Sequence, residues 1–274
     1  MLPVHVINLT RRPDRLAAIA VQLDDFGLAW HRAEAIDAAE RGADALARDF
    51  GIGPLTQSYP ATPGDMACSI SHRKLWQEIA GLRSEAAIVL EDDATLSEDF
   101  RRIASCDLPA VMRRHGMGVL KLEFWPGPQL SRRRPVGEDL GPISGATRLY
   151  RMRSSFLGSC GYVITTEAAR RLLSAFRHLQ VPVDHFLFGQ SAGLGFDALR
   201  PGFLNPAPVL HDVERYGSDI KDQRPCDADR ARGWRRRLRD HRQRRREEAL
   251  LRRGLAERVE MRFAGSQHAE GTVG

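Results

Sequence analysis

Apolar and polar positions alternate at once in this chain. Residues 3–9 (PVHVINL) alternate and carry β-branched side chains, which predicts a first strand. Residues 13–26 then repeat apolar side chains at Leu16, Ile19, Ala20 and Leu23, the spacing of a helix. Pro13 suits a first helical position and Gly27 a stop. A short strand is predicted at 30–35. A strand–helix–strand opening of this kind starts a parallel α/β sheet.

Gly51, Gly53, Pro54, Pro60, Pro63 and Gly64 make 37–64 a loop with one short helix near 39–49. Residues 65–80 (DMACSISHRKLWQEIA) predict a helix with Asp65 as its cap. The apolar run 86–90 (AAIVL) predicts a strand buried on both faces. A helix over 98–114, interrupted at Pro109, and a strand at 117–122 follow. Residues 125–147 are rich in Gly, Pro and Arg and read as a long surface loop. Strands at 148–152 and 160–164 precede an amphipathic helix over 166–179. Short segments at 181–190 and 206–210 belong near the sheet edge. Residues 230–262 predict an Arg-dominated helix whose partial apolar face includes Leu250, Leu251, Val259 and Met261.

The 274 residues suffice for one large α/β domain, and 42% hydrophobic composition supports a real core. The division predicted is a main domain over 1–223 and a basic helical extension over 224–274 with a frayed end. Charge sharpens that division. Residues 224–258 hold 14 Arg against six acids, a local net of +8, although the whole chain is only +6. The body is therefore nearly neutral, and the basicity says little about its chemistry. The chain has 38 Arg and three Lys, a bias that reads as codon composition. Cys68, Cys106, Cys160 and Cys226 are scattered, so neither a zinc site nor a disulfide framework is supported. No apolar run is long enough to span a membrane. The short apolar start precedes its basic residues, the reverse of a signal peptide, so a cytoplasmic protein is expected.

The acids Glu91-Asp92-Asp93 follow the apolar strand directly. Like charges this close repel, and the carboxyl end of a sheet strand is where α/β folds place ligands. Such a cluster suits a hard cation whose shell phosphate oxygens complete. The same acids could instead cap a helix beginning near Ala94. His211-Asp212 is the best candidate for a second metal-binding element. With acids alone, a metal-dependent phosphohydrolase or nucleotidyltransferase stays open. Asn8, Arg11, Arg12 and Arg15 leave the first strand, and arginine forks match phosphate and uracil edges. Arg15 could equally be a surface residue. Ser71 and His72 lie mid-helix, where His72 could orient a substrate hydroxyl. Gly158 and Gly161 flank a strand start and permit close ligand approach around Ser159.

Four stretches carry a family resemblance in order: VHVINLTRRPDR at 4–15, GDMACSISHRKLW at 64–76, AIVLEDDATLSEDF at 87–100 and FLGSCGYVITTEAARRLL at 156–173, the last followed by PVD at 182–184. Together the chain resembles glycosyltransferase family 25, a group related to lipopolysaccharide and collagen galactosyltransferases. The resemblance implies an α/β fold of the GT-A nucleotide-diphospho-sugar transferase type, with a mostly parallel central sheet flanked by helices. It implies inverting transfer of a hexose, galactose foremost, from a UDP-sugar to a glycan hydroxyl such as lipopolysaccharide core, with Mn²⁺ or Mg²⁺. Glu91-Asp92-Asp93 would then be the acidic metal element, Asp93 foremost, with His211 as a late ligand and Asp92 and Glu91 near metal or ribose. Asn8, Arg11, Arg12, Arg15, Ser71, Gly158, Ser159 and Gly161 would surround the donor. Asp184 is the preferred catalytic base, Asp197 its rival, and His72 a further candidate. A noncatalytic glycan-binding relative is the remaining alternative.

The loop 125–147, carrying Arg132-Arg133-Arg134, is expected to close over donor or acceptor. The basic helix either lies on an anionic membrane surface, where lipid-linked glycan acceptors reside, or packs on the body. Nucleic-acid binding through the same arginines is the least favoured reading.

Overall fold

A computed structural model describes residues 1–127, 133–217 and 234–265. Cys226, Arg132, the start of the basic segment and the chain's last nine residues lie outside these. The strands are β1 (Val4–Asn8), β2 (Trp30–Glu34), β3 (Ala86–Glu91), β4 (Ala94–Leu96), β5 (Val119–Lys121) and β6 (Glu123–Phe124). They continue as β7 (Val136–Ser144), β8 (Thr147–Met152), β9 (Gly161–Thr165), β10 (Gly202–Asn205), β11 (Val209–His211) and β12 (Glu257–Arg258).

Nine strands form one sheet in the order β12-β7-β8-β10-β5-β9-β3-β1-β2, and β4-β11-β6 form a small second sheet. The large sheet is mixed, which corrects the mostly parallel expectation. Parallel pairing holds for β1 with β2 and β3, and for β5 with β10. The other pairs run antiparallel, because β9 enters reversed between β3 and β5 and a hairpin extends the far edge. Side chains of β3 serve both faces. Ala87 and Val89 join Trp76 and Phe186 on one side, while Ala86, Ile88 and Leu90 join Ile19 and Phe100 on the other. The two-sided burial read from 86–90 is therefore present.

The opening helix, Pro13–Asp25, matches its apolar spacing, and Ile19 and Leu23 are buried. The next long helix runs Pro63–Ala80, and its cap is Thr62 rather than Asp65. Asp65 sits at the third helical position and reaches back: Thr62 N donates to its Oδ2 at 3.0 Å, while Asp65 N donates to Thr62 Oγ1 at 3.1 Å. Residues 37–64 hold three short helices rather than one, at Ala38–Arg41, Ala43–Phe50 and Pro54–Ser58. Pro109 opens a second helix, Leu108–Arg114, rather than interrupting a single one.

Three further expectations are corrected. Over 136–147 the loop reading gives way to strand β7 and a tight turn over Gly145, at positive φ between the paired Ser144 and Thr147, that leads into β8, where a strand was expected at 148–152. Glycine and proline in this stretch hid β7, since Gly137 is required by the close face of Phe203. Residues 183–188 form a helix with Phe186, Leu187 and Phe188 fully buried, not a sheet-edge segment. The basic helix ends at Arg252, Gly254 turns the chain at φ +64°, and β12 pairs with β7. Val259 and Met261 then enter the main core, so the end of the presumed apolar helix face is extended chain.

Candidate active site

The acids leave β3 where three neighbouring strands end together. Ile7 of β1 lies opposite Glu91 in parallel register, and Gly161 of β9 lies opposite Leu90. Ala94 begins a strand and the next helix starts only at Glu98, so the helix-cap alternative for Asp92 and Asp93 fails. Because β4 pairs antiparallel with β11, Ala94 faces His211 and brings it beside Asp93. A cleft of about 240 Å³ opens over this point. Arg11, Arg15, Ser71, Gly158, Ser159, Asp184, His211 and all three acids line it.

Each acid is held differently. His211 Nε2 lies 3.0 Å from Asp93 Oδ2, and Cys160 Sγ donates to Asp93 Oδ1 at 3.4 Å. Burial works against the charged imidazole, but Asp93's charge and hydrogen bond lift His211 to about 9. Burial likewise opposes Asp93's charge, yet His211 and Arg15 hold its carboxyl below the usual range. Asp92 is raised to about 6 by burial, against the pull of Asn8 Nδ2 at 2.7 Å and Arg15 Nη1 at 3.4 Å. Glu91 Oε1 accepts from Ser159 Oγ at 2.7 Å and pairs with His72 Nε2 at 3.0 Å.

The direction of the His72 bond follows from its neighbours. Trp76 Nε1 can only donate, and it does so to Tyr162 Oη at 2.8 Å. The Tyr162 proton then goes to His72 Nδ1, also at 2.8 Å, and His72 Nε2–H faces the carboxylate. His72, expected as a catalytic candidate, is fully buried with its Nε2 on Glu91 Oε1, outside the cleft lining.

Other expected residues divide clearly. Arg15 is buried, not a surface residue, and its Nη2 also donates to Tyr216 O at 2.8 Å. Arg11 pairs with Asp37 at 2.6 Å on the cleft wall. Asn8 stands behind the wall and holds Asp92. Ser71 Oγ accepts from Ile36 N at 2.8 Å and fixes the backbone beside Asp37. Besides Asn8 and His72, three more expected residues lie outside the cleft lining. Arg12 pairs with Asp14 at 2.8 Å on the surface. Gly161 is packed against Val209. Asp197 sits on the helix Gly195–Leu199, its carboxyl raised by burial. Asp184 is the candidate base that the cleft does contain.

Asp37, Asp65, Cys68 and Trp125 also line the cleft. Asp37 had a usable signal, since it follows the second strand at the same sheet end. The Trp125 ring lies tilted beside His211 with ring centroids 5.9 Å apart, a contact visible only after folding.

Among the described residues one set already gathers its ligand atoms for a cation, and a second, sharing Glu91, offers suitable donor types. Cys68, His72 and Glu91 bring ligand atoms within 4.8 Å of one another. Burial and then the neighbouring acids push the Cys68 thiol well up, which favours the poorly ligating protonated form. Asp93, Asp92, Glu91 and His211 offer carboxylate oxygens and one imidazole, the donors a hard divalent cation takes. That set also contains a buried orphan, His211 Nδ1, which has no hydrogen-bond partner among the described residues. In donor chemistry this second set fits Mn²⁺ or Mg²⁺, although only Cys68, His72 and Glu91 bring three ligand atoms within 4.8 Å of one another among the described residues.

The sequence model of glycosyltransferase family 25, described as lipopolysaccharide biosynthesis proteins, matches residues 1–187. The chain belongs to glycosyltransferase family 25. A family 25 member from Anopheles gambiae is 30% identical over 191 residues, covering 67% of this chain and 31% of the relative. Procollagen galactosyltransferase 1-B of Xenopus laevis is 30% identical over 194 residues, covering 67% and 30%. An inactive family 25 member 3 from Mus musculus is 26% identical over 250 residues, covering 84% and 40%. The chain thus spans less than half the length of these curated relatives.

Proposed function

We propose that this chain is an inverting, metal-dependent glycosyltransferase of the GT-A type. It moves a hexose, galactose foremost, from a UDP-sugar to a hydroxyl of a glycan acceptor such as lipopolysaccharide core. The observation that carries this reading is the meeting of Asp93 and His211 beside Glu91 and Asp92 in one cleft at the strand ends. Membership of a family related to galactosyltransferases supports the donor class.

Asp93, Asp92, Glu91 and His211 would hold Mn²⁺ or Mg²⁺, whose charge stabilises a departing diphosphate. Arg11 and Arg15 add guanidinium donors to the same wall, already oriented by Asp37 and Asp92. Asp184 accepts the proton of the acceptor hydroxyl while that oxygen bonds to C1 of the sugar. The C1–oxygen bond to the diphosphate breaks in the same step, UDP leaves, and the configuration at C1 inverts. No protein nucleophile is needed.

A donor screen tests this reading. Purified protein is offered a panel of UDP-sugars with and without Mn²⁺, and UDP release is measured. Metal-dependent release from UDP-galactose is expected; no release from any UDP-sugar, with or without an acceptor, would favour the noncatalytic alternative that the inactive mouse relative raises. Phosphate release in place of UDP would favour a phosphohydrolase.

The proposed workplace is the cytoplasmic face of a membrane, where the exposed Arg237, Arg242, Arg245, Arg246 and Arg252 meet anionic lipid around a lipid-linked acceptor. No helix among the described residues is long and apolar enough to cross a membrane. Flotation with anionic vesicles should weaken when Arg242, Arg245 and Arg246 become Gln; equal flotation would remove the helix from this role.

A further inference from the structure

We propose that the buried ion pair Lys121–Glu123 is a positioning device that fixes the 158–161 arch against the cleft acids. The inference deepens the donor-site reading and rests on it for its functional consequence.

Both side chains are fully buried, with Lys121 Nζ 2.9 Å from Glu123 Oε1. The aligned hydrogen bond of the ammonium goes elsewhere, to Gly158 O at 2.6 Å. Its remaining surroundings include the faces of Phe156 and Phe188, with centroids 4.9 and 4.8 Å away. Glu123 Oε2 accepts Gly161 N at 3.1 Å. The pair therefore grips both feet of the arch, Gly158 through the lysine and Gly161 through the glutamate.

What lies between the feet faces the acids. Ser159 Oγ donates to Glu91 Oε1 at 2.7 Å, and Cys160 Sγ donates to Asp93 Oδ1 at 3.4 Å. Cys160 O also accepts Glu91 N at 2.8 Å. The arch thus touches two of the three acids from one side. Its shape permits no ordinary residue at the first foot. Gly158 has φ +113°, and a Cβ there would lie 1.8 Å from Glu123 Oε1.

A buried ion pair is a poor source of stability, since apolar residues of similar volume fill the same space without desolvating two charges. Two apolar residues could not hold Gly158 O and Gly161 N. The directional contacts explain why charge stands here. Lys121 is also one of only three lysines in the chain, and its compact ammonium places a point charge on a single carbonyl.

The test is the full chain carrying Lys121→Met and Glu123→Gln together, which keeps volume and an acceptor for Gly161 N. Three measurements are made: amide exchange of residues 155–161, thermal melting, and binding of UDP with Mn²⁺. The expected variant melts cooperatively, exchanges faster at the arch, and binds UDP–Mn²⁺ about 10–100-fold more weakly, the range for groups that orient ligands. Adding Ser159→Ala to it should cost little more, because the pair acts through that serine. Unchanged exchange at the arch, or a fully additive serine effect, would overturn the proposal. If the double variant does not fold, the same measurements on Glu123→Gln alone decide. If the unmodified protein binds no UDP, the donor reading fails, and exchange at 155–161 still decides whether the pair sets the arch.

Discussion

Two walls of the cleft hold acids two residues apart by different means. On the wall formed by β3, β9 and the helix Pro63–Ala80, Glu91 is fixed by neutral donors, His72 and Ser159, backed by Tyr162 and Trp76. On the wall formed by β4 and β11, Asp93 faces His211, an imidazole that its charge lifts to about 9. The first wall is a hydrogen-bond chain rooted in the core, so it fixes position. The second is a charge pair at the cleft surface whose His211 Nδ1 has no partner among the described residues, and in the proposed reading it takes the cation. Position and charge are thus divided between neighbouring residues. The first wall lies within the segment matched by the family model, whereas His211 lies beyond its end at residue 187.

Variants on the two walls should separate these roles. Asp93→Asn has the largest expected effect, a loss of transfer beyond about 100-fold, since it exceeds what orienting groups contribute. His211→Gln follows, with a loss of about 10–100-fold and a raised Mn²⁺ requirement in a metal titration. Equal Mn²⁺ requirement in that variant would remove His211 from the ligand set. Tyr162→Phe should act on the other wall. It strands Trp76 Nε1 and His72 Nδ1 in the core, at about 1–3 kcal/mol of stability by chemical denaturation. Its Mn²⁺ requirement should change less than that of His211→Gln, and the reverse order would collapse the distinction between the walls. Smallest of all are Arg12→Ala and Asp197→Asn, both outside the cleft lining. Each should keep transfer within about twofold, since solvent screens the Arg12–Asp14 pair at the surface. A large loss in Asp197→Asn would reopen the choice of base against Asp184.

The acids were legible because their signal is local: an apolar strand ending in three carboxylates marks a sheet's carboxyl end. The opening strand and helix were legible for the same reason, as periodicity needs only neighbours. His211 was found by residue type, but its contact with Asp93 depends on β11 pairing with β4, which no local pattern encodes. His72 was singled out correctly as unusual, yet its direction depends on Tyr162, 90 residues later. Strand β7, unlike its partner β8, was missed because composition spoke for a loop, while the contact that requires Gly137 comes from Phe203 of a distant strand. Lys121 and Glu123 drew no notice, since charged residues within a short strand read as solvated until both faces prove buried.

The central claim is that Asp93 and His211 form a metal-dependent donor site. The most direct measurement is calorimetric binding of UDP to the full chain, with Mn²⁺ or with chelator, repeated for Asp93→Asn. Saturable binding that requires Mn²⁺ and is lost in Asp93→Asn is the expected result. Binding that is indifferent to Mn²⁺, or that survives unchanged in Asp93→Asn, would contradict it.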